Sequence, residues 1–272
     1  MNEQPRVLIT NDDGIESPGV HALISALSHH YDLVVVTPSA DMSGTGTGIG
    51  RFDPNLGVDM TPIEIEGVDA YAIDGPPGLA VMGAALGAFG RFPDLVVSGI
   101  NAGINTGHSV IHSGTVGAAL TARTFGIRGL AVSLSQSDPW EWETAAAVAA
   151  SAVRWMLEDP HRPKVLNVNV PGLPLEEVEG IHWADLDDFG YFRVAHAELP
   201  DRRLQFEVGP DVSQSDPSTD TYLLDKGLVT VTPLSAVEPA AFPDVPATDV
   251  WDPALSPLSK GGPTERSEVE GG

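Results

Sequence analysis

The stretch Val7 to Gly19, VLITNDDGIESPG, constrains this 272-residue chain more than any other. A short apolar run, Val7, Leu8 and Ile9, reads as a buried strand, and it ends in adjacent carboxylates, Asp12 and Asp13, followed by Gly14. Ser17 and Pro18 then stand as N-cap and first residue of a helix running to about Leu27. The acids therefore occupy a strand-to-helix loop. In an open α/β sheet that loop, at the carboxyl end of a strand, is where ligands bind. Asp-Gly alone favours a hairpin turn, but here a helix follows. Two adjacent acids repel each other unless a cation or donors compensate, which favours a metal or catalytic role over a turn.

The same grammar repeats downstream. Leu33 to Val36 reads as a second buried strand, and the loop after it, SADMSGTGTGIG, is flexible by composition. If the two strands are neighbours, Ser43 comes to the same sheet edge as Asp12 and Asp13. The alternating runs between Val58 and Ile73 predict an antiparallel excursion beside the main sheet. Pro76 to Phe89 is a small-residue helix opened by proline, and Asp94 to Ser98 the next buried strand. That strand enters a Gly-rich loop carrying Asn101, Asn105, His108 and His112, and Ser113-Gly114-Thr115 then opens a helix to about Phe125. Backbone N–H groups and two hydroxyls at a helix N-terminus make an anion cradle, although capping alone also explains Ser113. Gly129 to Leu134 is a strand, Trp140 to Leu157 a long amphipathic helix, and Lys164 to Val170 completes the parallel series.

The fold expected is α/β, a Rossmann-like doubly wound, mainly parallel sheet, with a β-rich extension from about residue 171. In that extension Trp183, Tyr191, Phe192 and Phe206 are expected to form core. Residues 1–252 are expected to form one domain, and the aperiodic residues 253–272 a disordered tail.

Charge narrows the ligand classes. With 38 acids against 14 bases, a net charge of -24 and only three lysines, the chain lacks the basic face that nucleic acid or an anionic membrane needs. A phosphate ester would require a local positive source, either a metal ion or a helix N-terminus. The absence of cysteine excludes disulfides and thiolate chemistry. No signal-peptide pattern opens the sequence and no apolar run reaches membrane length, so the expectation is a soluble, cytoplasmic protein.

Asp12, Asp13, Ser43, Asn101, Asn105, Ser113 and Thr115 are thus gathered at one sheet edge. Carboxylates with a hydroxyl and an amide oxygen form a hard-ligand set suited to magnesium or manganese, whereas zinc would normally want His or Cys.

These stretches resemble the survival protein SurE family of metal-dependent 5'/3'-nucleotidases. The resemblance is carried by TNDDG at 10–14, SG at 43–44, VSGINAGINTG at 97–107 and SGTVGAA at 113–119, with LNVNVPG at 166–172 and VTVTPL at 229–234 similar to later family segments. It implies one divalent ion per subunit, Mg or Mn, on Asp12, Asp13, Ser43 and Asn101, and phosphate contacts from Asn105, Ser113, Gly114 and Thr115. Asp12, Asn105 and Ser113 are the catalytic set expected, with His112 or His108 as a possible donor to the leaving oxygen. The implied activity is hydrolysis of nucleoside 5'- and 3'-monophosphates, by a homodimer or homotetramer that exchanges a C-terminal element. Three features depart from the family pattern. Pro76 and Gly78 in GPPGLAV replace a hydroxyl and an acid, His112 replaces a tyrosine, and the loop before Ser43 lacks a basic residue. A polyphosphate or sugar-phosphate hydrolase, or a non-catalytic nucleotide-binding protein, would use the same constellation.

Overall fold

Val7 and Ile9 face one way from the first strand and Leu8 the other, yet all three are completely buried. A strand apolar on both faces needs cover on both, and the chain supplies helices on each side. The computed structural model describes residues 4–51, 53, 55–188, 194–198, 205–208, 215–235 and 237. In order, β1 (Arg6–Thr10) leads to α1 (Pro18–Leu27), β2 (Asp32–Pro38), a hairpin of β3 (Met60–Ile65) and β4 (Val68–Ile73), and α2 (Pro77–Ala85). Then come β5 (Leu95–Ala102), α3 (Gly114–Thr124), β6 (Arg128–Leu134), α4 (Trp142–Glu158) and β7 (Val165–Val170). The remainder holds β8 (Ile181–Trp183), β9 (Val194–Glu198), β10 (Gln205–Val208), α5 (Asp220–Asp225) and β11 (Val229–Pro233).

Among the described residues nine strands form one sheet in the order β3-β4-β2-β1-β5-β6-β7-β11-β8, and β9 pairs antiparallel with β10 in a second sheet. The run from β4 to β7 is parallel throughout. Under one face, Val7, Ile9, Val35 and Val97 pack with Val20, Leu23 and Leu27 of α1 and Val153 and Met156 of α4. Under the other, Leu8, Val34, Val36 and Val96 pack with Val81 of α2 and Ala118 and Ala122 of α3. Each such large side chain contributes about 1.5–3 kcal/mol of hydrophobic stabilisation. The result is the α/β doubly wound fold expected from sequence.

From β1 the chain first adds strands on one side and later returns to place β5 on the other. The gap between the carboxyl ends of β1 and β5 is therefore the topological switch point, where such sheets leave a crevice for ligands.

Several boundaries shift for identifiable reasons. The β3–β4 hairpin does not lie beside the sheet, because β4 pairs in parallel with β2 and continues it. Helix α2 is shorter than the expected span, ending in a turn through Gly87 at φ +86°. In the extension, β11 joins β7 antiparallel and β8 joins β11 in parallel, so both continue the main sheet. The polar stretch before β11, DVSQSDPSTDT, is not all loop, since α5 begins at Asp220. Trp183 is no core residue, being 59% exposed on the three-residue edge strand β8, where its ring meets Trp155 of α4. Tyr191, Phe192, the Phe206 side chain and the expected tail 253–272 lie outside the described residues.

Candidate active site

The loop after β1 is fixed from within. Asn11, fully buried, donates through Nδ2 to the Gly14 carbonyl at 2.9 Å and accepts from the Gly14 N–H at 3.1 Å. Gly14 closes this turn at φ +93°, where a side chain would be strained. The turn sets Asp12 and Asp13 at the sheet edge, and the Asp12 carbonyl accepts from the Met42 N–H at 2.8 Å, docking the loop after β2 beside them.

Asp12 is only 3% exposed and is held by the start of α3. Thr115 donates its hydroxyl to Oδ1 at 2.5 Å and its backbone N–H to Oδ2 at 3.2 Å. Gly114 is obligatory for this approach, since a Cβ there would fall 2.6 Å from Asp12 Oδ2. Burial nonetheless dominates and raises the Asp12 carboxyl pKa, with Asp41 adding a smaller repulsion. Asp13 is pushed up to about 6, first by burial and then by the Asp12 charge, against one long bond from the Ala102 N–H at 3.5 Å. The pair thus carries more negative charge than its protein surroundings balance.

A cavity of about 1240 Å³ opens over these acids. Asp12, Asp13, Ser43, Asn101, Asn105 and Ser113 all line it, with His108 and His112 from the 3-10 turn Gly107–His112. Asn101 reaches the edge through an irregularity in the β5–β6 register between Ser98 and Asn101. Among the described residues no lysine or arginine lines the cavity. Gly114 and Thr115 do not line it either. Thr115 is completely buried, and both its donors are spent on Asp12, so it stands behind that carboxylate where the motif suggested a direct phosphate contact.

The two neutral oxygen donors are turned the same way. Ser43 gives its hydroxyl hydrogen to Asp41 Oδ1 at 2.6 Å, and these bonds lower the Asp41 pKa. Asn101 gives its Nδ2 to the Gly103 carbonyl at 2.8 Å. Each thereby keeps an oxygen for an electron-pair acceptor. Among the described residues no group of three or more His, Cys, Asp or Glu side chains comes together, which leaves carboxylates plus neutral oxygens as the available set. An under-compensated acid pair beside such oxygens fits a hard divalent cation, and does not suit zinc.

The loop carrying Asn105 is clamped from β7. Asn105 donates its backbone N–H to Asn169 Oδ1 at 2.8 Å and its side-chain Nδ2 to Ser133 at 2.8 Å. Its carbonyl accepts from Asn167 and Asn169 at 2.8 and 2.9 Å. Ser113 caps α3, accepting from the Val116 N–H at 3.1 Å. The rim is held from the extension, where fully buried Asp220 accepts from the N–H groups of Gly107 at 2.9 Å, Asp187 at 3.0 Å and Thr221 at 2.8 Å. Burial still raises its pKa on balance. Asn11, Ser133, Asn167, Asn169 and Asp220 were missed from sequence. Asn167 and Asn169 did leave a signal: polar residues two apart share one face of a fully buried strand.

Fold and site together define a doubly wound α/β protein with a carboxylate-centred, oxygen-lined cavity at the switch point. The family described as Survival protein SurE matches residues 7–191. The chain is 39% identical over 232 residues to the 5'-nucleotidase SurE of Alkalilimnicola ehrlichii, spanning 84% of this chain and 88% of that protein. It is 37% identical over 240 residues to the 5'/3'-nucleotidase SurE of Shigella dysenteriae serotype 1, spanning 84% and 89%. A crystal structure of the Aquifex aeolicus SurE protein superposes with a TM-score of 0.73 at 32% identity, covering 85% of this chain and 93% of that one. The chain belongs to the SurE family.

Proposed function

We propose that this chain is a divalent-metal-dependent phosphatase that hydrolyses nucleoside 5'- and 3'-monophosphates to nucleoside and phosphate. The observation that carries the reading is the pair of buried Asp12 and half-buried Asp13 at the switch point, facing a cavity with no lysine or arginine among its described lining residues, in a chain whose relatives are named nucleotidases. Asp12, Asp13, Ser43 and Asn101 would hold one magnesium or manganese ion. When bound there, the ion supplies positive charge to the phosphoryl oxygens.

The chain's own residues do the rest. Asp12, immobilised by Thr115, presents a fixed carboxylate edge that orients the attacking water and receives its proton. Asn105 keeps a second amide hydrogen after bonding Ser133 and offers it to a phosphoryl oxygen. Ser113 accepts from Val116, which leaves its hydroxyl hydrogen as a donor to the same group. Of the first three amides of α3, those of Thr115 and Val116 serve Asp12 and Ser113, and that of Gly114 is engaged by neither. His112 or His108, both exposed on the cavity rim, returns a proton to the leaving oxygen.

The test is phosphate release from a panel of nucleoside monophosphates, sugar phosphates and short polyphosphates, with manganese or magnesium and with chelator. Hydrolysis of at least one nucleotide that chelator abolishes is expected. Nucleotide binding without phosphate release would make the chain a binding protein, and activity confined to polyphosphate would reassign the substrate.

A cytoplasmic homodimer or homotetramer exchanging a C-terminal element belongs to the same proposal. Its support is an apolar edge that no other strand pairs among the described residues, with Ile181 at 60% and Trp183 at 59% exposure on β8. No helix among the described residues is long and apolar enough to cross a membrane. A monomeric mass by light scattering at micromolar concentration would refute the assembly.

A further inference from the structure

The part of the cavity wall formed after β6 takes no part in the phosphate chemistry above. Ser135, Gln136 and Trp140 line it there. β6 lies two strands from β1 in the sheet, so this wall faces the same cavity as Asp12 from a different strand end. Trp140 is half-buried and stacks on Trp142, the first residue of α4, with ring centroids 5.1 Å apart and planes inclined by 14°. Both rings pack against the core beneath α4, so Trp140 is backed and cannot readily swing away. An aromatic plate that is fixed from behind and borders a wide cavity is what a planar ligand needs, because little ordering cost falls on binding.

Resting on the nucleotide reading of this site, we propose that Trp140 is the shelf on which the base stacks. Gln136 stands beside it in the wall, and its amide offers both a donor and an acceptor to a base edge. Such a pairing accepts every base, so selectivity comes from stacking area, and purine monophosphates are preferred over pyrimidine ones.

Kinetics of the full-length, metal-loaded enzyme test this with AMP, CMP and glycerol 2-phosphate, which carries no ring. In Trp140→Ala the ratio of kcat/KM for AMP to that for glycerol 2-phosphate should fall about 5- to 150-fold, mainly through KM, the scale of one base-aromatic stack. The CMP ratio should fall less, and Trp140→Phe should restore most of the loss. An unchanged AMP ratio in an enzyme that hydrolyses AMP overturns the shelf while leaving the nucleotidase reading intact. So does an equal loss on all three substrates accompanied by a lower melting temperature. Should the wild type hydrolyse no nucleotide, the nucleotidase reading fails by itself, and tryptophan fluorescence during titration with AMP then decides the shelf. Saturable quenching that Trp140→Ala abolishes upholds it, and quenching that survives the substitution, or none in the wild type, overturns it.

Discussion

The carboxylate end of the cavity and its rim are built on opposite principles. At the carboxylate end, Asn11, Asp12, Asp13 and Gly14 form one short turn whose shape is set by its own hydrogen bonds, with Thr115 added from a single helix start. At the rim, the 3-10 turn that carries His108 and His112 is anchored by residues distant in sequence as well as by its own short-range bonds. It hangs on Asp220, 113 residues away from its partner Gly107, and on the Asp187 carbonyl, which accepts from the His108 N–H at 2.9 Å. Local self-sufficiency suits groups whose misplacement by an ångström costs catalysis, whereas long-range tethering lets the rim vary with the extension. Damage to the two regions should therefore separate, one in rate and the other in stability and substrate binding.

The largest effect is expected at the turn itself. Asp12→Asn keeps the volume and a hydrogen-bond partner for Thr115 but removes the charge, and kcat should drop by about 100- to 1000-fold, the scale of losing one key electrostatic group. The fold should persist, which circular dichroism and the melting temperature check. Next comes the residue behind it. Thr115→Val deletes the 2.5 Å bond to Asp12 without changing shape, so kcat should fall by up to about 100-fold through misplacement, with stability lower by about 1–3 kcal/mol for the buried group left short of a partner. Thr115→Ser should recover both. If Thr115 contacts phosphate directly, the inhibition constant of inorganic phosphate will move instead of kcat.

The same contrast explains what the sequence made legible. The β-strand and helix alternation, the Asp12–Asp13 turn and the gathering of Ser43, Asn101, Asn105 and Ser113 at one edge follow from periodicity and from loops at strand ends, which are local signals. The inward clamp of Asn167 and Asn169 was half visible as alternating polar residues in an apolar strand. Asp220 was not visible at all, since an acid in a Ser, Thr and Asp-rich stretch looks solvated until the fold buries it against Gly107. Thr115 was legible as a helix-start residue but not in its direction, because whether a hydroxyl faces ligand or carboxylate depends on how closely α3 approaches β1. Gly114 sets that distance. Trp183 failed for the opposite reason: an aromatic residue suggests core, and only sheet order reveals that β8 is an edge.

At the rim, Asp220→Ala should leave three buried N–H donors without their carboxylate, destabilising the protein by about 1–3 kcal/mol or more. Amide exchange at Gly107 and Asp187 should accelerate ahead of the core strands. Because the Asp12 turn is untouched, kcat/KM should fall by no more than about tenfold, equivalent to about 1.4 kcal/mol of lost positioning. A loss as large as that of Asp12→Asn would mean that the two regions are not separable.

The smallest effect probes the cost stored at the carboxylate end in the metal-free protein. Asp13 has its pKa raised to about 6 by burial and by Asp12, well above the value of about 3.9 in an unfolded chain. Between these values the native state holds a proton that the unfolded state has released, so native stability declines as pH rises from about 4 to about 6 and stays reduced above it. Asp13→Asn carries no charge at any of these pH values and escapes the decline. In chelator at pH 7.5 its melting temperature should exceed the wild type's by about 2–4 °C, a modest gain because Asp13 is open to solvent on one side. At pH 4 the difference should vanish. Adding manganese should reverse the order, raising the wild type and leaving the variant nearly unmoved, since the charge that destabilises the empty turn is the one that attracts the ion. Equal melting temperatures at pH 7.5 in chelator would show that the turn's own donors already neutralise the pair, and the case for a cation at this end would then rest on Asp12 alone.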